Sequence, residues 1–373
     1  MGFRLKLFQH IKTFWESSIC KKTSVLWTVF FPIQLFLIYI IRQYPEQIES
    51  YYSDGIYISI SSFFQKILGQ LSFSLGDIFY VILIFFIVKY IISVFKRKFK
   101  LKKTDFYKIV SFISIIYFGF HMTWGLNYYR LPLHKQLSVK SDYNTAELIS
   151  FTEKLLVKTN AIHNKIVTND TLPVQFEQSE NEYEKTVFDN FKQTQFQHQF
   201  VHHRSIKPSL LSLPLSYMGF GGYINPFTHE AQYNDRVPKY KYPTLIAHEM
   251  GHQLGYAKEN EANFVACYVN MYSQNEKMRY TGFTYALKFC LNEVYRRSPD
   301  DFERLKAKVN PGILKNYKAI QLFWKSYKNP LEPVFKKVYG NFLKVNNQPQ
   351  GIQSYNYVVA LLVNYFLEKT LPK

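Results

Sequence analysis

Three apolar runs dominate the first part of the chain: Ser24 to Ile41, Asp77 to Phe95 and Tyr107 to Leu126. Each approaches the roughly 17 to 25 residues that a helix needs to cross the hydrocarbon of a bilayer. Runs this long and this poor in charge predict spanning helices and not the core of a soluble fold. Lys89 falls near the end of the second run, where its alkyl stem can reach toward the headgroups. Between the first two runs Ile56, Ile60, Phe63, Phe64, Ile67, Leu68 and Leu71 recur at helical spacing. That spacing predicts an amphipathic helix on the outer surface of the bilayer, although a helix packed in a core would show the same pattern.

After "WGLNYYRLPL" the pattern becomes mixed. A membrane domain over 1–134 and a soluble domain over 135–373 are expected. "NTAELISFTEKLLVKTNAIHNKI" predicts a helix capped by Asn144 or Thr145, and the polar "FEQSENEYEKTVFDNFKQTQFQHQF" continues in helices. "SLLSLPLSYMGFGGYINPFTHEAQYN" breaks into short runs punctuated by Gly and Pro, which predicts strands and turns. Beyond Met271 the pattern is helical to the end. The last apolar run, "YNYVVALLVNYFLEK", is too short and too marked by Asn356 and Asn364 for a fourth span. The expected architecture is mainly α with a small β-sheet: transmembrane helices, then an α+β domain.

Charge sharpens the membrane reading. The 373 residues carry a formal charge of +19, and the basic residues of the first part flank the apolar runs, as topology determinants do. Arg4, Lys6, Lys12, Lys21 and Lys22 precede the first run, and Lys96, Arg97, Lys98, Lys100, Lys102 and Lys103 separate the second from the third. Only Arg42 and Lys66 lie between the first and second. The positive-inside rule then places the N-terminus in the cytoplasm and the large C-terminal domain outside it. No small-residue cleavage site follows the first run, so it is expected to stay as an anchor. The later lysines are scattered among aromatics without a nucleic-acid motif, which excludes nucleic acid as a partner and leaves the bilayer and its acidic headgroups. Cys20, Cys267 and Cys290 are too few for a disulfide scaffold, and free thiols are expected over a Cys267–Cys290 bridge. His198, His202 and His203, in a polar run with no following glutamate, read as a solvated helix face.

The chemistry is concentrated in "HEMGHQLGYAKENEANF". His248 and His252 are four apart, so on a helix both imidazoles share one face and one ion. Glu249 projects beside that ion, where a general base for a metal-bound water belongs. Pro243 suits the first turn of such a helix and Gly255 a left-handed turn at its end. Two histidines need a third protein ligand for catalytic zinc. Lys258 occupies the position of a metzincin histidine, and a protonated lysine cannot ligate. The third ligand then comes from a second helix, "NEANFVACYVNMY", on which Glu261 shares a face with Phe264, Val265 and Tyr268. Glu259 is the alternative, as a ligand or as an acceptor behind a ligand imidazole.

The run resembles the HExxH plus ExEAN combination of the ImmA/IrrE-like metallopeptidases, in which the glutamate before Ala-Asn ligates zinc; here that residue is Glu261. The connection from His252 to Glu261 is shorter than in those enzymes. Over nearly its whole length the chain also resembles an uncharacterised bacterial membrane family, a domain of unknown function in the zincin-like peptidase clan. The three spans, "SLGDIFY", "WGLNYYRLPL", "GYINPFTHEAQYN", the HExxH run and "LKVNNQPQGIQSYNYVVALL" carry that likeness. It implies a zincin-like domain on the bacterial cytoplasmic membrane and brings no substrate.

The expected activity is zinc-dependent peptide hydrolysis with one zinc ion, Glu249 as base, and a peptide or protein substrate in the envelope. A non-catalytic envelope scaffold is the competing class, against which the intact Glu249 argues. An intramembrane site is disfavoured by the charges on both sides of the motif. His229, Tyr355 and Tyr357 are candidates for the oxyanion contact. The stretch Gly219 to Phe227, with Gly221, Gly222, Tyr223 and Asn225, is the expected edge strand for substrate.

Overall fold

The computed structural model describes residues 18–194, 196, 203–348 and 355–372, without the side chains of 18–21, 355 and 356. Among these residues the chain is mainly helical, with one three-stranded sheet.

Helices α1 (Ser18–Ile41), α2 (Tyr57–Leu68), α3 (Leu75–Lys96) and α4 (Lys103–Thr123) build the first part. Three of them, over Lys22–Ile41, Leu75–Lys96 and Lys103–Thr123, are long and apolar enough to cross a membrane. α1 packs on α4, where Trp27 meets Phe118 edge to face and Gln34 Nε2 donates to Ser114 Oγ at 2.8 Å. That bond satisfies two polar groups that hydrocarbon could not. α3 stands apart, with none of its apolar window buried. The third helix stops before the expected Leu126. Trp124 leaves helical geometry at φ −151°, and a 3₁₀ turn over Gly125–Tyr129 turns the chain inward. Trp124 and Leu126 are buried there against protein and not exposed to lipid.

A π-helical segment, Ile48–Ile56, runs directly into α2. α2 is inverted relative to a soluble helix. Its Ser61 and Gln65 are buried and bonded to each other at 2.8 Å, whereas Phe63 and Ile67, with Ile56 just before the helix, are each more than half exposed. A core helix would bury the apolar side, so this face is left for a non-aqueous neighbour.

The second part contains α5 (Thr145–Ile166), α6 (Glu180–Phe191), β1 (Ile206–Pro208), α7 (Ser212–Met218), β2 (Gly222–Ile224) and β3 (Ala231–Tyr233). Then follow α8 (Tyr242–Gln253), α9 (Glu259–Met271), α10 (Glu276–Arg297), α11 (Pro299–Lys306), α12 (Pro311–Ser326), α13 (Glu332–Val345) and α14 (Tyr355–Glu368). Asn144 caps α5 in a capping box with Glu147, and Leu148, Phe151, Leu155 and Ile162 fill its inner face. α14 is a core helix, with Val358 to Phe366 buried. The tract read as strands holds one helix, α7. Its proline, Pro214, sits in the first turn, where the missing N–H costs nothing, and Gly219 ends it at φ +79°.

In the sheet β3 lies between β1, parallel to it, and β2, antiparallel. Tyr223 stands opposite Gln232, and no strand flanks the other side of β2 among the described residues. The main core gathers α5, α6, α8, α9, α10 and α14. A second cluster joins Ile48, Tyr52, Tyr57, Trp124, Tyr128 and Tyr129 to Ala257, just after α8. Packing therefore crosses the boundary expected at 134.

Candidate metal centre at the end of the motif helix

α8 is held by β3 and β2 on one side and by α9 on another, with Gly251 facing Ala262 and Val265. Its end is a Schellman turn: Gly255 N donates to His252 O at 2.9 Å and Tyr256 N to Gly251 O at 3.2 Å. Gly255 has φ +83°, the left-handed conformation that a residue with a Cβ adopts only at a cost. The turn brings Tyr256 O within 2.8 Å of His252 Nδ1. With the proton on Nδ1 it fixes the ring and leaves Nε2 free to ligate.

The Schellman turn leaves the carbonyls of Gln253 and Leu254 without donors and that of His252 able to accept a second. Donors from the first part of the chain take them. Trp124 Nε1 donates to His252 O at 3.4 Å, Tyr57 Oη to Gln253 O at 2.9 Å and Arg130 Nη1 to Leu254 O at 3.3 Å. Arg130 is buried, paired with Glu49 and stacked over Tyr256, and its charge suits the negative end of the helix.

His248 and His252 share a face, with ring centroids 4.7 Å apart. Glu259, the first residue of α9, lies 3.3 Å from His248 Nε2 and 3.8 Å from His252 Nε2. Two donors at zinc–nitrogen distance and a tetrahedral angle stand about 3.4 Å apart, which is close to the two separations from Glu259. The donor atoms of His248, Glu249 and His252 also lie within 4.8 Å of one another. Tyr339 Oη donates to Glu259 Oε1 at 2.5 Å, and Gln348 Oε1 accepts from Glu259 N.

Burial alone would raise the Glu259 carboxyl, but the hydrogen bond and charge of His248, with His252 and Tyr339, hold it down at about 2. For His248 burial acts downward and is outweighed by Glu259 and Glu249, so its pKa is raised. Burial and the neighbouring charge of His248 push His252 down to about 4. Burial pushes Glu249 up to about 8, against the pull of His248. The pair of His248 and Glu259 is thus held together by a proton in a place where a cation would serve both.

Glu249 is buried, and its Oε2 has no hydrogen-bond partner. Above it passes Gly222 of β2. A Cβ there would stand 2.6 Å from Glu249 Oε1 and 2.4 Å from Gln232 O, so only glycine lets the strand come this close. Gly221 is close to Leu245 in the same way.

The structure sets Glu259, and not Glu261, beside the two imidazoles. Glu261 faces away from the imidazoles, accepting from Leu133 N at 3.0 Å with Lys258 Nζ 3.7 Å away. The short turn after Gly255 starts α9 at Glu259, and two residues further on a helix points about 200° round. Two of the expected edge residues turn their side chains to other parts of the fold. Tyr223 Oη is bonded to Asp77 at the start of α3, and Asn225 makes an Asx turn to Phe227 N and Thr228 N while donating to Gly76 O. The His229 ring lies between Tyr57 and Phe64, fully buried. Tyr357 lies on an exposed face of α14. The side chain of Tyr355, with His198 and His202, lies outside the described residues. Cys267 and Cys290 are buried free thiols.

A family profile described as "Protein of unknown function (DUF3810)" matches residues 52–363. The chain belongs to this family. Comparison with curated proteins and with solved structures gives no match. The DUF3810 match takes in the second and third spans, the donors at the end of α8 and every residue of the site. Among those residues Tyr57, Arg130, Trp124 and Tyr339 escaped sequence reasoning. Arg130, an arginine inside an aromatic run just past a span, carried a signal of a buried charge. Trp124 was absorbed into the third apolar run, and Tyr339 carried no signal, because its partner is 80 residues away.

Proposed function

We propose that this DUF3810 protein is a membrane-anchored zinc peptidase with a zincin-like domain, whose ligands are His248, His252 and Glu259. The observation that carries the reading is the placement of one carboxylate against both Nε2 atoms, at 3.3 and 3.8 Å, beside the buried Glu249. Bound zinc supplies Lewis acidity, which acidifies water and polarises a carbonyl. The chain does the rest. β2 offers a free edge along which an extended peptide can add as a further strand. Gly222 lets that backbone approach the Glu249 carboxylate. Glu249 Oε2 takes the proton of the attacking water and returns it to the leaving amine. Tyr256 O holds the His252 ring and Tyr339 holds the Glu259 carboxylate, so neither ligand has to reorganise.

The basic flanks of the spans support an extracytoplasmic site on a bacterial cytoplasmic membrane, where envelope proteins or peptides are the substrates. The test uses the whole chain in lipid nanodiscs. Wild type and Glu249→Gln are analysed for zinc and incubated with a diverse peptide library. One zinc per chain in both, with cleavage by wild type alone, is expected. Absence of zinc, or equal cleavage by both, overturns the reading. A C-terminal reporter active only in the cytoplasm would overturn the orientation.

A further inference from the structure

α13 has three distinct sides. Leu331, Val334, Phe335, Val338, Phe342 and Val345 fall within an arc of about 100°, and each is between 37% and 77% exposed. About 90° to 130° round from the middle of that arc, Tyr339 reaches Glu259 and its ring meets Phe220, while Leu343 is fully buried. Those inward contacts fix the rotation of the helix, so the apolar stripe faces away from the metal site. Lys337 and Lys344 occupy the remaining side.

The height of the helix is fixed as well. The Phe342 ring packs on Phe120 and Tyr128, at centroid distances of 6.0 and 6.1 Å. Phe120 belongs to the last turn of the third span, which ends at Thr123. The C-terminal half of α13 therefore lies level with the edge of the hydrocarbon. In water a stripe of this kind would seek a core. At that height it is continuous with the exposed apolar surface of the spans, and lysines on the adjoining side match anionic headgroups. α2, which buries Ser61 and Gln65 and exposes Phe63 and Ile67, independently leaves apolar side chains uncovered near the spans.

We propose that α13 lies in the bilayer interface, with its stripe seated at the acyl-chain boundary of the leaflet that meets the soluble domain. Lipid then covers one side of a helix whose other side holds a residue of the metal site. The proposal rests on the spans and not on hydrolysis, so it survives if the protein cleaves nothing.

The test is accessibility of nitroxide labels on the full chain. Cys20 is replaced by Ser, Cys267 and Cys290 being buried, and single cysteines are introduced as Val338→Cys, Val345→Cys and Lys337→Cys. The protein is placed in vesicles of phosphatidylethanolamine and phosphatidylglycerol. At 338 and 345 collisions with oxygen are expected to exceed those with a water-soluble nickel chelate several-fold, with the order reversed at 337. Equal or greater access of the chelate at 338 and 345 would mean that water covers the stripe and overturns the proposal. Low access of both reagents there would mean that protein covers it, whether a second copy or another segment of the chain, and overturns it equally.

Discussion

Glu259 stands 3.3 Å from His248, whereas Glu261, two residues further on, is turned to the amide of Leu133. The two glutamates therefore have separable losses. Glu259→Ala should purify without zinc. Glu261→Ala should keep its zinc and lose about 1–3 kcal/mol of stability, the cost of leaving a buried amide and Lys258 without their acceptor. Metal content after dialysis and the thermal unfolding midpoint distinguish them. Retention of zinc by Glu259→Ala would return the ligand role to Glu261.

Gly222 tests the edge strand. A methyl group at that position cannot be accommodated between Gln232 O and Glu249 without moving β2 or the base. Gly222→Ala should lower turnover at least ten-fold with zinc stoichiometry unchanged, since the histidines and Glu259 are not touched. Unaltered turnover would remove β2 from the catalytic surface.

Arg130 answers to Glu49 and to the end of α8 at once. Arg130→Ala leaves a poorly solvated carboxylate without its partner, a change that costs about 3–5 kcal/mol when such pairs are buried. Adding Glu49→Ala should recover part of that loss, because the uncompensated charge goes with it. The order wild type, double variant, single variant in unfolding midpoint is the expected result.

His229 gives the fold an acid limit. Burial holds its pKa down at about 4, below the ordinary 6.5. Below pH 6.5 the unfolded chain takes up a proton that the folded chain refuses, so stability is full above 6.5 and falls as the pH approaches 4. The difference amounts to roughly 3 kcal/mol. His229→Asn, which tolerates the φ of +53° at this position, should be less stable at neutral pH yet lose less between pH 6.5 and 4. Unfolding midpoints at the two pH values decide it.

Much of this was legible because its cause is local. The spans, the capping of α5 by Asn144 and the left-handed Gly255 each follow from residues a few positions apart. The common face of His248 and His252, with Glu249 beside it, was legible for the same reason, since helical spacing fixes it. The choice between Glu259 and Glu261 was not, because it depends on where α9 begins, and a shift of two residues there exchanges them. The helix α7 was hidden because Gly and Pro mark turns and helix ends alike. Tyr339 and Trp124 act through contacts made across the fold, which periodicity does not record.

The carbonyls at the end of α8 are closed by Tyr57, Trp124 and Arg130, and the last two flank the end of the third span. Trp124 leaves the ribosome 128 residues before His252 does. Synthesis from the N-terminus therefore lays down the template first, and the motif folds onto it afterwards. A chain lacking Tyr57, Trp124 and Arg130 would carry both histidines and Glu249 but lose the donors that close the helix end. The placement of His252 is in this way tied to residues that follow the third span, so that the candidate site and the membrane segment share one set of contacts.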